Sequence, residues 1–91
     1  MTVKAKFFAY FKDLFGGREK EVEVGAGRTV RDLLNLLCDT PARREEIFIG
    51  EGVKPHLVVM VNGVHMRALQ GLDTKLAAGD TVAVFPFLIG G

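Results

Sequence analysis

A chain of 91 residues, 48% hydrophobic and 25% charged, has the make-up of one ordinary globular domain with a modest core. Its 12 basic and 11 acidic residues are dispersed and leave a net charge of +1, so no basic stripe is available for nucleic acid. The single cysteine excludes an internal disulfide, and Lys4, Lys6 and Lys12 interrupt any apolar leader or membrane span, so a cytoplasmic protein with no membrane partner is expected.

Val3 to Phe11 alternates, with Val3, Ala5, Phe7 and Ala9 on one face and Lys4, Lys6, Phe8 and Tyr10 on the other. That period of two predicts a strand with a buried face and aromatic cover on the second. Lys12 to Phe15 is expected to form a short helical turn that Gly16-Gly17 breaks. Arg18 to Val24 alternates again and should pair with the first strand.

Thr29 has the chemistry of a helix N-cap, with Asp32 in capping-box position. The helix starting there carries Val30, Leu33, Leu34, Leu37 and Cys38 at i, i+3, i+4, i+7 and i+8, which predicts the main core helix. Thr40-Pro41 repeats the start signal, a cap followed by proline at the first helical position, for a shorter helix to about Phe48. Ile49 to Pro55 reads as loop.

The β-branched run Leu57 to Val61 predicts a central strand, and Asn62-Gly63 is a strong hairpin signal returning the chain through Val64 to Ala68. Gly71 to Leu76 reads as a connection whose leucines pack inward, and Gly79-Asp80 turns into a last strand from Thr81. This order gives an α+β fold, a mixed sheet of four to five strands with one main helix across it.

The end of the chain is the segment most suggestive of chemistry. Pro86 lacks a backbone donor, so a central ladder is not expected to continue through it. The domain is therefore drawn as 1–86 and the extended tail as 87–91, with Phe87, Leu88 and Ile89 leading to Gly90-Gly91. An exposed apolar lead more often marks a binding surface than a frayed end. A side-chain-free Gly-Gly can lie in a narrow channel and present an open terminal carboxylate.

Other groups are weaker candidates. Cys38 lies on the apolar helix stripe and is read as a small hydrophobe rather than a nucleophile. His56 and His65 are too few and too scattered for a metal site or an acid–base pair. Asp13, Glu19, Glu21 and Glu23 read as a solvated face. The chain has no phosphate-binding loop of the Gly-x-x-x-x-Gly-Lys-Ser/Thr type, so no cofactor is expected on the chain itself.

Five stretches taken together resemble the ubiquitin-like (β-grasp) sulfur carriers, and most closely the small subunit of molybdopterin synthase (MoaD-like). They are Phe7 to Phe11, Thr29 to Leu34, Val61-Asn62-Gly63, Gly71 to Leu76 with Gly79-Asp80, and Phe85-Pro86 through Gly90-Gly91. Thiamine-pathway carriers (ThiS-like) share the fold and the Gly-Gly end but are generally shorter and lack the insertion Pro41 to Pro55. The sequence departs from the molybdopterin type at Phe87, where that family often has a second proline.

The resemblance implies a non-catalytic carrier subunit. Gly91 would be adenylated by an ATP-dependent activating enzyme and converted by a sulfur donor to a thiocarboxylate, with ATP bound by the partner. Pro86, Phe87, Leu88, Ile89 and Gly90 would form the partner-binding lead, and the acceptor would be the large subunit of molybdopterin synthase. Two alternatives stay open, a carrier for thiamine or another sulfur-transfer pathway, and a protein modifier joined to lysines through Gly91.

Overall fold

The computed structural model describes residues 1–87. Its strands and helices run β1 (Thr2–Phe7), α1 (Phe11–Phe15), β2 (Glu19–Glu23), α2 (Val30–Leu37), α3 (Pro41–Ile47), β3 (Phe48–Ile49), β4 (Gly52–Val53), β5 (Leu57–Val61), β6 (Val64–His65) and β7 (Thr81–Pro86). The main sheet has five strands in the order β2-β1-β7-β5-β6. β1 and β7 are parallel and the other pairings antiparallel, so the sheet is mixed. This is the β-grasp, ubiquitin-like fold.

The expected faces hold in β1, where Val3, Ala5 and Phe7 are buried. The strand itself is shorter than its alternation predicts. Ala9 takes a left-handed φ of 55°, which ends extended backbone, and α1 starts at Phe11 with that ring fully buried. α1 stops where Gly16 adopts φ 82°, a conformation a residue without Cβ reaches at little cost. β2 then pairs antiparallel with β1, Val3 opposite Val22.

α2 is built as the stripe predicts. Thr29 and Asp32 form the full capping box, and Val30, Leu33, Leu34, Leu37 and Cys38 are all buried against the sheet's inner face. Leu36, off the stripe, is 55% exposed. α3 starts at Pro41 with Thr40 as its cap. Arg43 ties α3 to α1, since its Nε donates to the Leu14 carbonyl at 2.9 Å and its guanidinium lies over the Phe15 ring.

Three segments differ from the sequence reading. Ile49 to Pro55, read as loop, holds most of a short hairpin in which Phe48 pairs with Val53 and Ile49 with Gly52. Arg44 stacked on the Phe48 ring, at 4.8 Å from its centroid, adds cover to this short ribbon. The return strand after Asn62-Gly63 lasts only Val64–His65, because Met66–Ala68 winds into a 3-10 turn that buries Met66. β5 is interior as expected, but β7 occupies the centre of the sheet. Among the described residues, no helix is long and apolar enough to cross a membrane.

Candidate functional site

The site is the place where β7 leaves the sheet. Pairing with β5 puts Val58 opposite Phe85 and Leu57 opposite Pro86. The Asn62 amide donates to the Thr81 carbonyl and the Phe87 amide to the His56 carbonyl, so the hydrogen-bonded pairs fall on even-numbered residues on the β5 side and odd-numbered residues on the β7 side. Antiparallel pairs alternate between bonded and non-bonded. Pro86 opposite Leu57 is therefore a non-bonded pair, and its missing N–H costs that ladder nothing. Its nitrogen faces β1, which has already ended at Phe7, opposite Val84.

This corrects the expectation that the ladder stops at proline. The strand runs through Pro86, and a further bond lies beyond it, at Phe87. The Pro86 side chain is buried, on the same face of β7 as Val82 and Val84. Phe87 is 58% exposed. Leu88, Ile89, Gly90 and Gly91, the rest of the expected lead and carrier, lie outside the described residues.

The outer face of the sheet beside this exit is aromatic. Alternation puts Phe85 opposite in face to buried Val82 and Val84, next to Phe8 from the end of β1. The two rings meet edge to face, with centroids 5.8 Å apart. Val58 flanks them from β5, and Lys4 and Lys6 continue the same face of β1, each within 4 Å of the Glu19 carboxylate.

On the α1 side, Tyr10 sits beyond the Ala9 bend with its ring against Phe11, centroids 4.5 Å apart. Its hydroxyl is 3.3 Å from His56 Nε2. Burial first, and then the nearby Glu46 carboxylate, hold the Tyr10 phenol above its ordinary value, so it keeps its proton at neutral pH. His56 thus has two roles, one by its backbone toward Phe87 and one by its ring toward Tyr10. The sequence reading set His56 aside as a metal ligand or acid–base group and placed Tyr10 only on the aromatic second face of the first strand. No local signal could join residues 46 apart in sequence.

Cys38 and His65 sit in structural surroundings. Cys38 is buried and burial pushes its thiol up to about 11. The His65 ring accepts the Arg67 amide at 3.0 Å, a cap for the 3-10 turn. Among the described residues, no group of three or more His, Cys, Asp and Glu side chains could hold a metal ion.

The ThiS family profile matches residues 5–91. The chain belongs to the ThiS family. Small archaeal modifier protein 3 of Haloferax volcanii is 38% identical over 95 residues, covering all of both chains. The crystal structure of small archaeal modifier protein 1 from the same organism superposes with a TM-score of 0.83 at 30% identity, covering 96% of this chain and 98% of that one. A Pyrococcus furiosus chain described as putative molybdopterin converting factor, subunit 1, gives a TM-score of 0.78 at 34% identity, covering 97% and 99%. This ThiS-family chain is thus a ubiquitin-like protein of the sulfur-carrier and small-modifier type.

Proposed function

We propose that this chain is a ubiquitin-like carrier whose Gly91 carboxylate is activated by a separate ATP-dependent enzyme and used first as a small protein modifier. A carboxylate is a poor electrophile because its leaving group would be a charged oxygen. Attack of a Gly91 oxygen on the α-phosphorus of ATP expels pyrophosphate and leaves an acyl-adenylate. A lysine amine of a target then displaces AMP to give an isopeptide bond, and a sulfur nucleophile displaces it to give a thiocarboxylate. The chain supplies no catalytic group to either step. It presents the tail, and the partner supplies the ATP site.

The observation that carries this reading is the family match, which runs through residue 91 and so includes Gly90-Gly91. The likeness to two small archaeal modifier proteins, at 38% and 30% identity, favours the modifier branch. A second reading is the small subunit of molybdopterin synthase, favoured by the 34% identity with the Pyrococcus furiosus chain. In either case the aromatic face of exposed Phe8 and Phe87 and half-buried Phe85 at the root of the tail is where the activating partner seats.

The test incubates the purified chain with an activating enzyme of this family type, ATP, and either sulfide or a lysate rich in target proteins. Pyrophosphate release, the intact mass and remnants of this chain's C-terminal segment on target lysines are then measured. Lysine remnants identify the modifier. Exchange of one terminal oxygen for sulfur without lysine remnants, together with support of cofactor synthesis, identifies the molybdopterin carrier. Pyrophosphate release that persists after deletion of Gly91 removes both readings.

A further inference from the structure

We propose that Tyr10 and His56 are positioning residues for the root of the tail: the Tyr10 hydroxyl holds the His56 ring, and the His56 carbonyl holds the Phe87 amide. The need for such a clamp comes from the strand register. β1 stops at Phe7, opposite Val84, so Phe85, Pro86 and Phe87 have a strand partner only on the β5 side. Among the described residues, the last ladder bond on that side goes to His56, which precedes β5 and lies in a turn closed by the Leu57 amide on the Lys54 carbonyl. The direction in which the chain leaves the sheet is thus as firm as the placement of His56.

What fixes His56 is Tyr10, and the chain carries local strain to bring it there. Ala9 at φ 55° occupies the left-handed region, where a Cβ crowds the backbone and a non-glycine residue is strained. Strain of this kind persists where the surroundings over-determine it. Here the bend lets Phe8 lie on Phe85 while Tyr10 swings to the other side and rests on fully buried Phe11. A ring seated on the core gives the hydroxyl a fixed position.

The anchoring stands on geometry alone, whereas its use in tail activation rests on the proposed function. The test uses the full chain with Tyr10→Phe, His56→Ala and the double substitution. Tyr10 is 43% exposed and the phenylalanine keeps its ring contact, so the fold should persist. A net hydrogen bond of ordinary strength predicts that Tyr10→Phe accelerates hydrogen exchange at the Phe87 amide about two- to tenfold. The Val59 and Val84 amides, in the core of the sheet, should not change. The double variant should exceed the larger single effect by little, because the pair acts as a unit.

In activation assays the same variants should raise KM for the chain while leaving kcat unchanged. Phe87 exchange identical to the parent in Tyr10→Phe overturns the proposal. Equal acceleration at Val59 and Val84 also overturns it, since that describes general loosening. If the exchange responds as stated but the parent chain is never adenylated, the clamp stands and the proposed function fails.

Discussion

Asn62 does more than mark a turn. Its φ of 51° and that of Gly63 at 81° make the left-handed pair that a two-residue hairpin requires. Its side chain also reaches the second turn signal, with the amide nitrogen 2.9 Å from the Asp80 carboxylate and its oxygen accepting the Thr81 amide at 2.9 Å. Asn62→Ala should therefore lose both bonds and keep the left-handed backbone, costing about 1–3 kcal/mol in denaturant unfolding. Cys38 makes a different residue-scale prediction. Burial raises its thiol to about 11 in the folded chain, above the value in unfolded chain, so the native state holds this proton more tightly. The stability it contributes is full below about pH 8.5 and is lost as pH rises toward 11. Thermal midpoints measured from pH 8 to 11 should fall more steeply for the parent than for Cys38→Ala, and parallel curves would show that the thiol takes no part.

At the scale of elements, α2 rests on its inward stripe rather than on helix propensity, since eight residues are too few to be helical alone. Leu33→Ala or Leu37→Ala should cost about 2–5 kcal/mol, while Leu36→Ala, on the exposed side, should stay within about 0.5 kcal/mol. Equal losses at Leu33 and Leu36 in chemical denaturation would show the stripe misplaced. This helix was legible because capping chemistry and a 3.6 period agree over one continuous stretch. Where the two signals parted, the reading lost the boundary. Phe8-Ala9-Tyr10-Phe11 keeps a strand's alternation of size, yet the observed chain turns at Ala9, and nothing in an alanine announces a left-handed φ. Similarly, Met66 looks like the continuation of a strand and is pulled into a 3-10 turn by burial of its side chain, a tertiary demand.

In the whole molecule, the last strand of the chain is the middle of the sheet, and this explains which parts of the site could be foreseen. That an apolar lead follows the last strand was readable from the order of the residues, whereas the strand's continuation through Pro86 was not. That Pro86 sits harmlessly in a non-bonded pair depends on register, and that Tyr10 meets His56 depends on topology, so neither was available before strand order was known. The same placement separates the domain from its tail. β7 pairs with β1 on one side and β5 on the other, and Val82 and Val84 are fully buried between the sheet and α2. Removing the chain after Ala78 would leave β1 and β5 facing a gap with two open edges and an uncovered helix stripe. A chain ending there should fail to fold, showing no cooperative thermal transition. A chain ending at Phe87 keeps every described ladder bond of the sheet, including the one to His56, and should unfold within a few degrees of the full-length protein. Circular dichroism melts of the two truncations check this directly. If the chain ending at Phe87 melts far below the full-length protein, residues 88–91 belong to the stabilising core, and the division into a domain and a working tail is wrong.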